Sequence, residues 1–216
     1  MNEDLETLTL YIAPGACSRV TMVGLEEAGL SYTIRKLALM QGDQRKPEYL
    51  SLNPKGKVPL LVTPDGLLSE NVAILSWLDA MSPAAGLLPE ADRPFERARA
   101  LSWLAWSATQ LHSQLYRIRM TARIHPDAAT HDGVRHAALA EMAQQLDAAE
   151  QALADGRPWL MGARWHIGDA HVAWVTDRAR QSGLSMDALP RVTALLDRQM
   201  QRPAWQRAVA RESADA

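Results

Sequence analysis

Cysteine is almost missing from this chain: among 216 residues there is one, Cys17, so an intramolecular disulfide is excluded. Long apolar runs are missing too, since no stretch approaches the ~18 residues that a membrane-spanning helix needs. Excess charge of one sign is also absent. With 23 basic against 25 acidic residues, the net charge of −2 supplies no electrostatic reason to bind nucleic acid or an anionic membrane. Histidines lack metal-ligand spacing, because His131 and His136, like His166 and His171, are five apart rather than i,i+4, and a structural metal is not expected. No internal repeat or low-complexity tract interrupts the chain. The acidic, polar start, Met1 to Thr7, has neither the basic residues nor the apolar stretch of a secretory signal and reads as a short solvated extension. With these absences a reducing, cytoplasmic setting is the default expectation.

What is present changes character along the chain. Up to about residue 85, β-like runs alternate with helical ones; from Pro94 onward the pattern is helical throughout. Leu8 to Ile12 reads as a strand, Cys17 to Ala28 as an amphipathic helix stopped by Gly29, and Ser31 to Leu37 as a second strand. Strand, helix, strand makes a right-handed crossover, so these two strands are expected to be parallel. Val58 to Val62 and Leu67 to Ser69 flank Pro64-Asp65-Gly66, a hairpin signal, so the second pair is expected to be antiparallel. Asn71 is placed to cap a helix over Val72 to Met81. Residues 86–93 lie among Pro83, Gly86, Pro89 and Pro94 and read as a linker. The expected organisation is a domain over 1–85 and a helical one over 94–216. Within the second, apolar stripes on Leu101 to Leu115 and Leu139 to Leu153 predict two long antiparallel helices. Ile167 to Arg180, Asp187 to Met200 and the stretch after Pro203 predict three more, with fraying expected over Ala208 to Ala216. Arg117, Arg119 and Arg123 read as a favourable helix-end charge or solvated face, the alternative being a functional anion site.

Three stretches carry chemistry. Cys17 stands at a helix start, where unpaired amides and the macrodipole favour a thiolate and are expected to lower its pKa; the other reading is a buried free cysteine acting as a small apolar filler. In Asn53-Pro54-Lys55-Gly56-Lys57-Val58-Pro59, a proline at a strand start points either to an edge strand or to a cis bond that lets Val58 offer its backbone to an extended peptide ligand. Glu70-Asn71 sets a carboxylate and an amide at another helix start, suited to a ligand bearing both an ammonium and a carboxylate, or simply to the helix dipole.

Together these stretches resemble the two-domain cytosolic glutathione transferases, and among them the bacterial beta class. Tyr11 to Ser18 is similar to that class's strand-to-helix signature, Asn53 to Leu61 to its cis-proline segment and Glu70-Asn71 to its γ-glutamyl site. Trp165-His166-Ile167-Gly168-Asp169-Ala170 is similar to its capping-box segment, so the resemblance runs over nearly the whole chain. It implies an α/β plus all-α fold: an N-terminal thioredoxin-like domain with a mixed four-stranded sheet, and a C-terminal helical bundle.

The implied activity is conjugation of the glutathione thiolate to small hydrophobic electrophiles, a detoxification role, in a homodimer. Glutathione is the implied co-substrate, held by Cys17, Lys57, Val58, Pro59, Glu70 and Asn71, with Cys17, Ser18 and His112 as catalytic candidates. Ala13, Trp106, His112 and Tyr116 are the implied electrophile-site residues. The family lysine that contacts the glycine carboxylate is replaced at Gln41-Gly42, with Arg45 or Lys57 as substitutes. The rival readings are thiol–disulfide exchange or peroxide reduction through Cys17, and a non-catalytic ligand- or protein-binding module.

Overall fold

The computed structural model describes residues 8–214; the expected solvated start, Met1 to Thr7, and the last two residues of the expected frayed end lie outside them. The described chain forms two units, one of residues 8–87 with 202–214 and the other of Leu88–Gln201.

In the first unit, strand β1 (Leu8–Ile12) alternates buried Leu8, Leu10 and Ile12 with half-exposed Thr9 and Tyr11, the period-two pattern of a strand covered on one face. Helix α1 (Ser18–Ala28) follows and ends at Gly29, whose left-handed φ of 66° closes the last turn. Strand β2 (Tyr32–Lys36) returns parallel to β1, as a crossover requires. After the short α2 (Pro47–Leu50), strands β3 (Leu60–Thr63) and β4 (Gly66–Ser69) form the antiparallel hairpin. The sheet order is β2-β1-β3-β4, the mixed four-stranded, thioredoxin-like arrangement. β3 begins at Leu60 rather than Val58 because Pro59 has no N–H to give the ladder. Helix α3 (Asn71–Met81) packs against α1. The two approach closely at Gly24, where a Cβ would sit 2.6 Å from Leu75 Cδ2.

The second unit begins with α4 (Pro94–Trp106), runs through a π-helical turn at Ser107–Leu111, and continues as α5 (His112–Arg119). The first expected long helix is therefore one rod carrying a bulge that shifts the register before His112. Met120 breaks it, and α6 (Thr121–Ile124) is a separate turn, so the arginine stretch spans a helix end and a new start. Helix α7 (His131–Ala152) packs against α5. Helix α8 (Ile167–Arg180) forms the core of this unit: Ile167, Ala170, Val172, Ala173 and Val175 have no exposed surface. Helix α9 runs over Pro190–Met200, starting later than Asp187 because Pro190 occupies the first helical position.

The expected helical domain over 94–216 differs at its end. Helix α10 (Pro203–Ser213) belongs to the first unit, where it packs on α1 with Ala204, Trp205 and Ala208 buried. Far from fraying at Ala208, it is tied down by Arg202 to Glu27 at 2.7 Å, Arg207 to Glu26 at 2.8 Å and Arg211 to Glu26 at 3.0 Å. Among the described residues no helix is long and apolar enough to cross a membrane.

Candidate functional site

The turn from β1 into α1 is held by Ser18. Its hydroxyl is fully buried, accepts from the Ala13 N–H at 3.3 Å and donates to the Ala13 carbonyl at 3.4 Å. Expected as a catalytic hydroxyl, Ser18 is instead committed to shaping the loop that presents Cys17; buried Ala13 is one of the loop's anchors.

Cys17 occupies the N-cap position of α1, 8% exposed. The expectation of a lowered pKa is corrected: burial pushes the thiol up to about 12, outweighing the favourable backbone donor and the charge of Lys57, with Glu70 adding to the rise. Desolvation of a buried thiolate overrides the helix start. The thiol is therefore a neutral donor, and its Sγ–H points to the Val58 carbonyl at 3.4 Å.

The Val58–Pro59 bond is cis, the second of the two readings of that proline. The loop before it is fixed by Asn53, whose side chain donates to the Lys57 carbonyl at 2.8 Å and accepts from the Lys55 N–H at 3.2 Å. Tyr49 donates to the same Lys57 carbonyl at 2.6 Å. Gly56 has φ of 59°, and a Cβ there would lie 3.0 Å from the Gln44 carbonyl, so glycine suits the position on both counts. Among the described residues the Val58 N–H makes no hydrogen bond, and it stands beside a carbonyl that bonds only the Cys17 thiol. Pro59 is buried and Lys57 exposed.

At the third stretch the expected cap is corrected. Asn71 is the first residue of α3, not its cap; its amide donates to the Cys17 carbonyl at 3.2 Å and accepts from the Thr21 hydroxyl at 2.7 Å. Buried Asn71 thus locks α3 to α1. Glu70 precedes it with φ of 76°, the one non-glycine residue in the left-handed region among those described, a conformation that marks many ligand-binding positions. Its exposed carboxylate meets Lys55 Nζ at 2.9 Å, and Lys55 also reaches Ser69 Oγ at 3.1 Å. Lys55 was missed in the sequence because nothing in its spacing links it to Glu70; the loop geometry does. Gln41 and Arg45 lie exposed in two single-turn 3-10 helices.

In the second unit, half-buried His112 packs edge-on against Trp174 at 4.9 Å between ring centroids, and His171 lies 6.2 Å away. His171 is fully buried, and its Nδ1 shares a 2.8 Å hydrogen bond with Ser107 of the π-turn. Burial, with His112 adding repulsion, pushes its pKa down to about 3, so it is neutral. Trp106 meets Trp103 edge-on at 5.3 Å, and Tyr116 is half-buried on α5. In the capping segment, Asp169 accepts from the His166 N–H at 2.9 Å and the Leu160 N–H at 2.8 Å, the reciprocal half of the expected box. No group of three or more metal-ligating side chains occurs among the described residues.

A thioredoxin-like sheet followed by a helical unit, with a helix-start cysteine and a cis-proline loop, defines a class of two-part thiol-handling proteins. The family model for the glutathione S-transferase N-terminal domain matches residues 6–80. Glutathione S-transferase GstA of Escherichia coli O157:H7 is 31% identical over 95% of this chain and 98% of its own. A glutathione transferase from Methylococcus capsulatus is similar in structure, with a TM-score of 0.84 and 34% identity over 95% of this chain and 98% of that one. A Sulfitobacter glutathione transferase homologue, solved with bound glutathione, has a TM-score of 0.86 and 26% identity over 96% and 99% of the two chains. The chain belongs to the glutathione S-transferase family and is a transferase of that family.

Proposed function

We propose that the protein conjugates the glutathione thiolate to small hydrophobic electrophiles, with the beta-class use of a cysteine at the helix start. The observation that carries this reading is the contact of three separated stretches: Asn71 bonds the Cys17 carbonyl while the Cys17 thiol bonds the Val58 carbonyl. Val58, with an unbonded N–H and a carbonyl whose partner is a weak thiol donor, suits the backbone of an extended tripeptide. The γ-glutamyl end carries an ammonium and a carboxylate, and the Lys55–Glu70 pair offers the complementary charges: Glu70 for the ammonium, Lys55 for the carboxylate. Lys57, Pro59 and Asn71 complete the binding set. In this reading Cys17 acts because its proton is held. Lowering a glutathione thiol from ~8.5 by two pKa units corresponds to about 2.7 kcal/mol of thiolate stabilisation. Part of that comes from the Cys17 S–H turning from the Val58 carbonyl toward the ligand sulfur.

We assign the electrophile to Trp106, His112 and Tyr116 of the second unit, with His112 as the acid–base group. Its edge-on contact with Trp174 fixes the ring, and neutral His171 adds no competing charge. A cytoplasmic homodimer is the proposed setting. The redox alternative is weakened by the same thiol chemistry, because a buried thiol with a raised pKa is a poor attacking group at neutral pH.

The test is conjugation of glutathione to a chloro-dinitrobenzene, followed with alkylation of Cys17 as a function of pH. Conjugation is expected to persist but slow in Cys17→Ala, and alkylation to be slow at pH 7 and to keep rising past pH ~9, where an ordinary thiol levels off. Rapid alkylation at pH 7, with a glutathione adduct on Cys17 by intact mass and no conjugation, would replace this reading with disulfide exchange.

A further inference from the structure

Two polar side chains that neither the glutathione residues nor the electrophile residues include lie fully buried in the second unit: Ser107, the first residue of the π-turn, and His171 on α8. Ser107 Oγ and His171 Nδ1 are 2.8 Å apart. An apolar pair of similar shape would fill the same space without desolvating a hydroxyl and an imidazole. His171 carries a further cost, because among the described residues its buried Nε2 has no hydrogen-bond partner. The buried Nε1–H of Trp174, three residues further along α8, has none either.

The tautomer of His171 follows from this arrangement. Burial keeps the ring neutral, and among the described residues the Ser107 hydroxyl bonds only its Nδ1. If Ser107 donates, the hydroxyl proton and the Nδ1 lone pair are both used and the Nε2–H alone is left over. The opposite arrangement strands the hydroxyl proton and the Nε2 lone pair together. Ser107 is therefore the donor, and it pins one edge of the His171 ring.

The same serine holds the backbone of His112. The His112 N–H donates to the Ser107 carbonyl, the five-residue bond of a π-turn. One residue inserted into a helix rotates everything after it by about 100° around the axis. His112, the first residue after the turn, is thereby brought onto α8. The approach to the turn is fixed as well: a Cβ on Gly168 of α8 would stand 3.4 Å from the Leu104 amide nitrogen of α4. Gly168, His171 and Trp174 are three residues apart and share one face of α8.

On that face three rings meet edge-on. His112 stands 4.9 Å from Trp174 at 88°, His171 stands 5.6 Å from Trp174 at 70°, and the two imidazoles are 6.2 Å apart at 63°. The π-turn, the buried hydroxyl–imidazole pair and the unpartnered ring nitrogens each cost stability, and all three occur where half-buried His112 meets α8.

We propose that Ser107 and His171 are positioning residues for His112: Ser107 sets the His112 backbone and pins the His171 ring, and His171 with Trp174 holds the His112 imidazole in one orientation. The proposal rests on His112 being the acid–base group of the conjugation.

The test is steady-state conjugation of glutathione to a chloro-dinitrobenzene in wild type, Ser107→Ala, His112→Ala and the double variant, with the imidazole carbon–proton NMR signals of His112 recorded in wild type and Ser107→Ala. Ser107→Ala is expected to lower kcat fivefold or more with both KM values within twofold, to shift or broaden the His112 ring signals, and to cost nothing further once His112 is alanine. His171→Asn, which keeps a polar atom for Ser107 but removes the ring, is the second variant and should lower kcat in the same way. Melting temperatures check that each variant is folded. Unchanged kcat in Ser107→Ala beside an impaired His112→Ala, or losses that multiply in the double variant, would overturn the proposal. Full activity in His112→Ala would instead sink the acid–base reading; the ring signals then decide the positioning, and unchanged His112 signals in Ser107→Ala would overturn it.

Discussion

Two faces of α1 are held in different ways. On one, Cys17, Thr21 and Gly24 meet the cis-proline loop and α3 through a thiol, a hydroxyl, an amide and a bare Cα, with no charge involved. On the other, Arg19, Glu26 and Glu27 meet Glu212, Arg207, Arg211 and Arg202 of α10 and its approach, a ladder of ion pairs capped by Arg211 over the Tyr32 ring at 3.8 Å. The neutral face carries the candidate site and the charged one fastens the chain end. A neutral, buried contact surface keeps the Cys17 proton in place, which a nearby cation ladder would not. The fastening face, partly open to water, tolerates charge at little desolvation cost.

Breaking the neutral face should have the largest effect. Asn71→Ala strands the Thr21 hydroxyl and removes one partner from the Cys17 carbonyl, and is expected to cost about 2–3 kcal/mol in urea unfolding. Glutathione affinity should fall with it.

Breaking the charged face should cost less. Glu26→Gln weakens bonds from Arg207, Tyr32 and Arg211, and about 1 kcal/mol is expected, since both arginines are well exposed. Burial alone would raise the Glu26 pKa; the bonds from Arg207, Tyr32 and Arg211 outweigh it and hold it below the usual 4.5. The stabilisation it gives is therefore complete above that ordinary value and is lost as pH falls through the lowered one. His171 acts in the same direction over a wider window. It takes up a proton below about 6.5 when unfolded but only near 3 when folded, so stability falls as pH drops below 6.5. The Glu26 contribution is read as the difference between wild type and Glu26→Gln, which should shrink as pH falls below 4.5 while the His171 slope remains in both.

Salt sharpens the contrast with the smallest effect. Raising sodium chloride from 0.02 to 0.5 M should reduce the Glu26→Gln penalty by a few tenths of a kcal/mol and leave the Asn71→Ala penalty unchanged. Equal salt responses would mean that the two faces do not differ as described.

How much of this was legible in the sequence follows from where the information sits. Strand alternation in Leu8–Ile12, the stop at Gly29 and the Pro64-Asp65-Gly66 turn are local signals, and the elements they predict are present. The bond to Pro59 was narrowed to two readings by its place before a strand. What escaped depends on contacts between distant residues. The raised pKa of Cys17 comes from burial by surrounding chain, whereas the helix start alone argued for a lowered one. Asn71 looks like a cap in sequence and becomes a lock because Thr21 and the Cys17 carbonyl stand within reach. The Lys55–Glu70 pair joins residues fifteen apart across a hairpin. Likewise the Ala-rich end gave no sign that its arginines meet Glu26 of α1.

The account rests on glutathione being held by the first unit, and its most direct measurement is a glutathione titration followed by tryptophan fluorescence in wild type and Glu70→Gln. Saturable binding at millimolar concentration or below in wild type, weakened about tenfold or more in the variant, is predicted. An absence of saturation in wild type at tens of millimolar, or equal affinity in the two proteins, would contradict it.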